Sequence, residues 1–464
     1  MKILVINVSI RPESKVRYIP LGLAYVASAI KRHGYGFRVL DLDVNRYSEK
    51  YIRRYLLDNK FDIICMGCIV TGYKYIKRLA YLIKEVNPKA KIIVGNSVAS
   101  SIPDLLLTKT KVDIAVMGEG DIAITEILDA LRFSSSLKSV KGICYKVDGK
   151  IIKNSPRELI EDIDIIPFPD WELFEIEKYI ESCSKYAVRE PLPLPREKIR
   201  AFTISTARGC PFKCTFCYHV FRDVKYRYIS PRVLVQEIKR LKEKYNLNYF
   251  IFHDDLTIIS KNHAQEIVKC LLQEDVGIFW QANCRSGLFQ EESDIELAKQ
   301  FKAAGCIGLG YSLENVDSEI LKMMNKKVNP NDFSKQCRIL AKAGLVTWTS
   351  LVFGYPIETR ETIRRTIDFC IENSIYPSVG YLLPQPATPM YDYAIQHQFI
   401  NDEEEYLLAI GDRQDLQLNM TKMSDKEFSD TVLMAMNQCN EKLGLKLKKA
   451  SLIKTGYYRG IKKE

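Results

Sequence analysis

The sequence predicts an α/β protein. A doubly wound parallel-sheet domain of Rossmann or flavodoxin-like type precedes a partial (β/α)6 barrel and a small helical C-terminal cap. Two observations predict this order. Residues 1–135 contain five short, nearly all-apolar runs separated by helical stretches, a pattern typical of strands buried on both faces of a parallel sheet. From Arg200 to about residue 400, strand and helix patterns alternate again with longer helices, which indicates a second α/β unit.

The strands of the first domain bring four loops to one edge of its sheet. These strands are predicted at residues 3–8, 38–42, 62–67, 91–95 and 113–118. In open α/β sheets, ligands bind outside the carboxyl ends of the strands. The loops at those ends begin at Ser9, Gly67, Gly95 and Gly118, and glycine there lets the backbone approach a ligand closely. This edge is therefore the predicted ligand site of the first domain.

Residues 136–199 are predicted to link the first domain (1–135) to the barrel. Residues 142–154 are expected to form a β-hairpin, because Asp148-Gly149 is a strong turn signal. Prolines near 167 and 191 predict extended chain, since each biases its predecessor away from helix. The barrel is assigned to residues 200–400, with six strands and five intervening helices, and its chemistry is expected at the carboxyl ends of the strands. Residues 401–464 are predicted to form a helical C-terminal region.

Composition limits the classes of function. The chain has 464 residues and is 47% hydrophobic, yet no run reaches the ~18 to 20 apolar residues that a membrane helix needs. The start, Met1-Lys-Ile-Leu-Val, predicts a strand and no signal peptide. With 13 cysteines that mostly lack paired spacing, this predicts free thiols in a reducing, cytoplasmic compartment. The net charge of +11 could indicate an anionic partner, such as a phosphate or carboxylate substrate or a nucleic acid, but Lys and Arg are spread along the chain, which favours a solvated surface.

The most specific motif is Cys210-Pro-Phe-Lys-Cys214-Thr-Phe-Cys217. A loop of this length can wrap three thiolates around one face of an iron–sulfur cluster. A [4Fe–4S] cluster ordinarily takes four cysteines, and no fourth follows at a matching spacing, so one iron would remain free to bind a ligand that is not protein. The alternatives are three core cysteines or a zinc site, although structural zinc usually takes four ligands in paired spacing. The number of ligands favours the cluster.

This motif and its flanks resemble the radical S-adenosylmethionine (SAM) enzymes. Arg208-Gly-Cys-Pro211, Phe216 before the last cysteine and Tyr218 after it fit the family pattern. In that family three cysteines hold the cluster, and the fourth iron chelates the amino and carboxylate groups of SAM. The resemblance implies that Cys210, Cys214 and Cys217 are the catalytic cluster ligands and that Tyr218 contacts a cofactor.

The resemblance also implies SAM contacts at the ends of barrel strands. Phe252-His-Asp254-Asp255-Leu-Thr257 is similar to an Asp-Asp-x-Phe-Thr run of class B members, whose carboxylates can accept hydrogen bonds from the SAM ammonium group. Arg285 and the segment containing Ser312 and Glu314 resemble positions that face the ribose and carboxylate of SAM. The alternatives are helix N-caps for the aspartates and surface or ion-pair roles for the others.

A glycine-containing segment follows the fifth barrel strand. Gly354-Tyr-Pro-Ile-Glu358 is similar to the family's Gly-x-Pro-Gly-Glu run, and the resemblance implies a backbone wall beside the adenine at Gly354. Ile357 stands where the family usually has glycine, and Ala387 likewise replaces a glycine after the sixth strand.

The first domain resembles the cobalamin-binding domain of class B radical SAM enzymes. The matching details are Pro20-Leu-Gly-Leu, Val94-Gly-Asn and Gly118-Glu-Gly-Asp. The resemblance implies cobalamin contacts from the loops at the sheet edge: Ser9, Cys68, Thr71, Gly95, Asn96, Gly118, Glu119 and Gly120. The D-x-H-x-x-G motif is missing, and His33 lies at the end of the first helix, so we expect cobalt without a lower histidine ligand. The alternative is a flavodoxin-like domain that binds nothing.

The implied function is reductive cleavage of SAM to a 5′-deoxyadenosyl radical, followed by methyl transfer to an unactivated carbon or phosphorus centre of a small molecule or natural product. A rearrangement, cyclisation or oxidation that uses cobalamin without methylation is the first alternative. A non-catalytic metal- or cobalamin-binding module is the second, and the SAM-site residues argue against it. An electron donor such as flavodoxin or ferredoxin is an expected partner.

Overall fold

The N-terminal sheet has seven strands in the order β2-β1-β3-β4-β5-β6-β7. The computed structural model describes residues 1–222 and 224–454, so the end of the C-terminal region, residues 455–464, lies outside the described residues. The strands are β1 (Ile3–Asn7), β2 (Phe37–Asp41), β3 (Ile63–Gly67), β4 (Lys91–Gly95), β5 (Ile114–Val116), β6 (Ile143–Val147) and β7 (Lys150–Lys153). β1 to β5 are parallel, as the sequence predicts.

The hairpin expected in the linker belongs to this sheet. β6 pairs antiparallel with β5, and β7 pairs antiparallel with β6. Ile143, Cys144 and Tyr145 are buried, so β6 covers the edge that β5 would otherwise expose. The turn signal predicts the hairpin itself, but its partner strand depends on tertiary contacts that the local sequence does not contain.

Helices cover both faces of the sheet. They are α1 (Leu21–Arg32), α2 (Leu42–Asn45), α3 (Glu49–Asn59), α4 (Tyr73–Val86), α5 (Ser97–Ser101), α6 (Pro103–Lys109) and α7 (Gly120–Arg132). Ile3 and Val5 of β1 pack on the face with α1 and α7, whereas Leu4 and Ile6 pack on the face with α4 and α6. Because successive side chains point to opposite faces, strands buried on both sides must be apolar throughout.

The linker is bonded to both halves of the molecule. It contains α8 (Ile176–Tyr186). The backbone N–H of Asp170 donates to Ser28 Oγ of α1 at 2.8 Å. The indole Nε1–H of the adjacent Trp171 donates to Glu237 Oε1 in the barrel at 3.0 Å. Trp171 is fully buried, so this short segment attaches the first domain to the second.

The second half is the predicted partial barrel. Its strands are β8 (Ala201–Ile204), β9 (Ala207–Arg208), β10 (Arg227–Tyr228), β11 (Tyr249–Phe252), β12 (Phe279–Asn283), β13 (Cys306–Gly310), β14 (Val346–Trp348), β15 (Ser350–Phe353) and β16 (Ser378–Tyr381). The parallel order is β14-β13-β12-β11-β8, and β15 pairs parallel with β16. Thr349 interrupts the predicted fifth strand and divides it into β14 and β15. The short antiparallel pair β9–β10 lies outside the barrel.

Helices surround the barrel and extend to the C-terminus. They are α9 (Pro231–Tyr245), α10 (Lys261–Gln273), α11 (Asp294–Ala303), α12 (Ser318–Met323), α13 (Pro330–Lys342), α14 (Arg360–Glu372), α15 (Pro389–Gln396), α16 (Glu403–Ala409) and α17 (Asp425–Lys442). α17 packs on α14, and α16 packs on α4 of the first domain. Over residues 1–222 and 224–454, no helix has both the length and the apolar character needed to cross a membrane.

Candidate active site

The cysteine motif forms a loop at the carboxyl end of β8, between β9 and β10. Gly209 has a φ of 91°, and a Cβ on it would lie 3.0 Å from Phe221 Cβ, so the turn before Cys210 requires glycine. Between the second and third cysteines, Thr215 donates its backbone N–H to Met324 O at 2.9 Å. The hydroxyl of Thr215 lies 2.9 Å from the hydroxyl of Tyr355. The loop is therefore fixed to the barrel through residues that are not cysteines.

The three thiols share one neighbourhood. Burial raises the pKa of Cys210 and Cys214, and it raises the pKa of Cys217 to about 12, with Cys214 and Cys210 adding to the shift at Cys217. Arg222 donates to the backbone oxygens of Cys214 and Cys217, which orients this turn. Within the described part of the chain, no group of three His, Cys, Asp or Glu side chains converges on a point suited to one metal ion. A cluster requires a different geometry, because each thiolate binds its own iron, and a loop of three free, adjacent thiols fits it.

A solvent-accessible space lies beside this loop. Cys217, His253 and Asp255 are exposed to solvent. The surrounding protein nevertheless raises the pKa of Asp255 and lowers that of His253 to about 4, in both cases chiefly by burial. Groups that solvent reaches but protein surrounds line an internal space, and we call this space the chamber.

The two adjacent aspartates have different environments. Asp254 accepts five hydrogen bonds: from the hydroxyls of Ser205, Thr206 and Thr257 at 2.9, 2.6 and 3.0 Å, and from the backbone N–H groups of Thr206 and Ala207 at 2.8 and 3.1 Å. This carboxylate therefore holds the backbone that leads into the cysteine loop.

Asp255 has open space around it. Its side chain is 50% exposed, and its Oδ2 lies 4.0 Å from His219 Nδ1. A carboxylate at the edge of the chamber is available to an ammonium group there. Of the two predicted SAM contacts, Asp255 has the geometry of a ligand-binding group and Asp254 that of a structural anchor.

Glu314 lies beneath the cysteine loop in a buried ion pair. Its carboxylate is 3.1 Å from Lys326 Nζ, and the two side chains are 6% and 18% exposed. Burial alone would lower the pKa of Lys326, but Glu314 and the thiol of Cys214 raise it. The pair therefore places a positive charge near the cysteines. Glu314 also has a φ of 64°, an uncommon backbone conformation for a residue with a side chain.

The other predicted SAM residues lie around the same chamber. The Arg285 guanidinium lies 5.8 Å from the ring centroid of Phe212 in the cysteine loop. The hydroxyl of Ser312 is 2.8 Å from that of Ser350. Gly354 has a φ of 117° and donates its N–H to Glu358 Oε2 at 3.4 Å. Burial raises the pKa of Glu358 to about 7.

The predicted cobalamin residues lie in the loops at the carboxyl edge of the N-terminal sheet, and most of them present backbone. Asn96 has a φ of 70° and caps α5 by accepting from Ser97 N–H at 2.6 Å. Ser9 is bonded to Arg46, and Cys68 is buried with a pKa raised to about 12 by that burial. Thr71 is half-buried in a single 3₁₀ turn, next to α4. Gly95 ends β4 and is half-buried.

The loop after β5 reaches the barrel. Gly118 donates its N–H to Ser100 Oγ at 3.1 Å. Gly120 begins α7, where a Cβ would lie 3.1 Å from Val26. Glu119 between them accepts from Arg208 at 2.6 Å and from Arg227 at 2.9 Å, and its side chain is 2% exposed. Its second oxygen accepts from Ile160 N–H. Glu119 therefore joins the two domains through side-chain contacts.

A second contact joins the cysteine loop to this edge. Burial raises the pKa of Tyr218, directly after Cys217, to about 12, and a hydrogen bond to Ser100 opposes that rise in pKa. Ser100 is the residue that accepts from Gly118 N–H. A continuous path of neighbours thus connects the third cysteine with the loop after β5.

His33 lies away from these loops. Its Nε2 is 2.9 Å from Asp129 Oδ2. Both residues stand at the far ends of α1 and α7, which begin at the carboxyl edge of the sheet and run back toward its amino edge.

Sequence reasoning missed several supporting residues. Thr215 and Tyr355 anchor the loop, Lys326 pairs with Glu314, and Arg227 binds Glu119. The Arg208-Gly-Cys lead-in is visible in the sequence, but Arg227 is 108 residues from Glu119 and has no motif around it.

The comparisons with known proteins agree with this geometry. The Radical SAM superfamily matches residues 204–370, and the B12 binding domain matches residues 10–128. An uncharacterised methyltransferase of Pyrococcus horikoshii is 28% identical over 384 residues, which is 82% of this chain and 79% of that protein. The anaerobic magnesium-protoporphyrin IX monomethyl ester cyclase of Rubrivivax gelatinosus is 30% identical over 356 residues, covering 75% of this chain and 61% of the cyclase.

A solved structure has the same fold. The radical SAM methyltransferase TsrM of Kitasatospora setae, with cobalamin and a [4Fe–4S] cluster bound, superposes with a TM-score of 0.67 at 16% identity, covering 97% of this chain and 91% of that one. With both domain families in this order, the chain belongs to the class B, cobalamin-binding family of radical SAM enzymes. The cofactors of that family are a [4Fe–4S] cluster, SAM and cobalamin.

Proposed function

We propose that the chain is a cobalamin-dependent radical SAM methyltransferase that acts on an unactivated carbon or phosphorus centre of a small molecule or natural product. One observation carries the proposal. Arg208, two residues before Cys210, is bonded to Glu119 in the loop after β5 at 2.6 Å, so the cysteine loop and that loop are adjacent.

The residues have separate tasks in this proposal. Cys210, Cys214 and Cys217 hold the cluster, and the network around Asp254 keeps their loop in place. Asp255 accepts hydrogen bonds from the SAM ammonium group, while Arg285, Ser312, Glu314 and Gly354 form the remaining wall of the SAM site. When bound, the cluster supplies the electron that cleaves SAM, and cobalamin carries the methyl group. The protein supplies orientation and excludes water.

The loops of the first domain bind cobalamin mainly through backbone, with small or buried residues at Ser9, Cys68, Thr71, Gly95, Asn96, Gly118 and Gly120. Glu119 contributes by holding the loop after β5 against Arg208 and Arg227. Because His33 is bonded to Asp129 at the other edge of the sheet, it would not serve as the lower ligand of a bound cobalamin. The protein acts in the cytoplasm with an electron donor such as flavodoxin or ferredoxin, since cluster reduction requires one.

The test is anaerobic reconstitution with iron, sulfide and cobalamin, followed by reaction with SAM that carries an isotopic label in its methyl group and with a pool of small metabolites. We expect about four iron per chain, release of 5′-deoxyadenosine and transfer of labelled methyl to a product. The variant Cys217→Ala is the matched control. Stoichiometric zinc in place of iron, or bound cluster without SAM cleavage, would contradict the proposal.

The similarity to the Rubrivivax cyclase favours a second candidate, ring closure or oxidation without methylation. The same reaction separates the two functions. Under the second candidate, 5′-deoxyadenosine forms and the product lacks the labelled methyl group.

A further inference from the structure

The inner surface of the barrel strands carries no charge. Along β8 and β11, Phe202, Ile204 and Phe250 pack outward against the helices, while Ala201 and Tyr249 belong to a separate apolar cluster inside the barrel. Strands β8 and β11–β16 contain no Asp, Glu, Lys or Arg. Any charge inside this lumen, the space within the strands below the chamber, must therefore come from another segment.

The linker supplies the first charge. Residues 187–189 enter the lumen, where Ala187 and Val188 pack with Ala201 and Tyr249. The backbone N–H of Arg189 donates to Gln281 Oε1 at 3.2 Å, and Gln281 Nε2 donates to Ala187 O at 3.4 Å. This segment is thus hydrogen-bonded to an inward side chain of β12.

Arg189 lies against an aromatic wall. Its guanidinium is 4.8 Å from the ring centroid of Trp348. The indole covers two glycines of β13, since a Cβ on Gly308 would lie 3.0 Å from Trp348 Cζ3 and a Cβ on Gly310 would lie 2.0 Å from Trp348 Nε1. Only glycine at these positions leaves room for Trp348 on the inner face of the barrel.

A second arginine enters from the C-terminal region. Tyr381 N–H donates to Arg413 O at 2.7 Å, so the loop containing Arg413 covers the free edge of β16. A Cβ on Gly380 would lie 2.7 Å from Arg413 Nη1, which means that the side chain lies flat on the inner face of β16. Its Nη2 donates to Ser378 Oγ at 3.4 Å, a long hydrogen bond.

Arg189 lies over β14 and Arg413 lies over β16, which pairs with β15, the strand that follows β14 after Thr349. Ser350 pairs with Ser378 across β15 and β16. Trp348, beneath Arg189, is two residues before Ser350 and points to the same side. No carboxylate of the described residues lies within 4 Å of the Arg413 guanidinium. The carboxylates on the same loop are already engaged, since Asp412 accepts from the Gln414 N–H at 3.0 Å and Asp415 pairs with Lys454.

His253 lines the chamber above the lumen. Burial chiefly, and the charge of Arg11 in addition, lower the pKa of His253 to about 4. This histidine therefore stays neutral at physiological pH and adds no further positive charge. A half-buried guanidinium without a carboxylate partner is costly unless a bound anion compensates it.

We propose that Arg413, on the same inner face of the barrel as Arg189, binds an oxyanion group of the substrate, a carboxylate, phosphate or phosphonate, and so selects acidic substrates. This inference rests on the proposed function, because it deepens the account of the same chamber. A guanidinium binds such groups through two parallel hydrogen bonds, which also fixes the orientation of the ligand.

The test is anaerobic equilibrium dialysis of the reconstituted holoenzyme with phenylphosphonate, compared with benzylamine as the probe of opposite charge. Phenylphosphonate should bind saturably, and Arg413→Gln should weaken it by about tenfold or more, the effect expected for a lost charge-assisted hydrogen bond. Arg413→Lys should restore part of the affinity. Arg364→Gln, which removes a surface arginine paired with Glu361 on α14, is the matched control and should bind like wild type.

The inference would be overturned by a lack of saturable phenylphosphonate binding, by equal binding of benzylamine, or by unchanged binding in Arg413→Gln. A loss of SAM binding in Arg413→Gln in the same dialysis would assign the arginine to the SAM carboxylate and would also overturn it. Iron content of each variant reports correct folding. Release of 5′-deoxyadenosine by the wild type tests the proposed function separately, so the two failures are distinguishable.

Discussion

The two sides of the chamber are built in different ways. On the barrel side, polar side chains form dense networks, as at Asp254 with its five hydrogen bonds and at the buried pair Glu314–Lys326. On the side of the first domain, the loops present backbone and small residues such as Gly95 and Gly118. A site for a small charged cofactor needs directed side chains, whereas a large flat ring is accommodated by backbone that leaves space. The two sides should therefore respond differently to mutation.

The largest effect is expected on the barrel side. Replacing Cys210, Cys214 or Cys217 with Ala should abolish the cluster, because two thiolates leave a second iron of the cluster without a protein ligand. The measurement is iron content and the visible absorption band after anaerobic reconstitution. Ser205→Ala, which removes one of five hydrogen bonds to Asp254, is a mild control. If a cysteine variant retains about four iron atoms per chain, the replaced cysteine is not a ligand of the cluster.

Separate substitutions of the two adjacent aspartates distinguish a structural role from a role in SAM binding. Asp254→Ala should destabilise the fold by about 3 kcal/mol or more and reduce cluster assembly, because it leaves buried donors without an acceptor. Asp255→Ala should keep the cluster and weaken SAM binding roughly tenfold, as loss of a charge-assisted bond implies. Chemical denaturation, iron analysis and SAM dialysis measure these effects. The assignment of different roles to the two aspartates is wrong if both variants assemble the cluster and bind SAM equally.

Glu358 gives the barrel side a pH dependence. Burial raises its folded-state pKa to about 7, above its ordinary value of 4.5. The folded state therefore binds a proton that the unfolded state releases, and stability should fall by about 3 kcal/mol as pH rises from about 4.5 to about 7. Glu358→Gln should flatten this part of the curve. The free energy of unfolding of the wild type and of Glu358→Gln is measured by denaturation across this pH range. Identical slopes of that free energy against pH would contradict the prediction.

The contribution of backbone on the side of the first domain can be tested by replacing two matched glycines. Gly118 and Gly149 both have a φ of 77°, and beyond their chain neighbours no heavy atom lies within 4 Å of the position that a Cβ would occupy. Alanine at either position should cost about 1 kcal/mol through strain alone. Only Gly118→Ala should also weaken cobalamin retention, measured by absorbance after gel filtration. Equal retention in both variants would remove the loop after β5 from the cobalamin site.

The smallest effect is expected at His33. His33→Ala should leave the spectrum of cobalamin-loaded protein unchanged, because the imidazole is bonded to Asp129 and lies at the opposite edge of the sheet. A shifted spectrum would mean that the histidine reaches the cobalt.

Much of the architecture was predictable because strand burial and motif spacing are local. The five apolar runs, the cysteine loop and the Asp-Asp sequence all lie within short windows. The rest depends on distant partners: which of Asp254 and Asp255 turns toward Thr206, which strand the hairpin joins, and how Glu119 meets Arg227. Adjacent carboxylates are equivalent in sequence, and only tertiary packing distinguishes them.

The segment of residues 187–194 has a consequence for how such a protein can diversify. It is part of a connection between domains, and yet Arg189 at its start lies inside the barrel against Gln281 and Trp348. Its residues belong to no barrel strand, so its length and sequence can change while the sheet stays intact. Under the proposed acidic-substrate site, part of the wall around the substrate is therefore an exchangeable insert, and transplanting this segment between relatives should move substrate preference without rebuilding the catalytic scaffold.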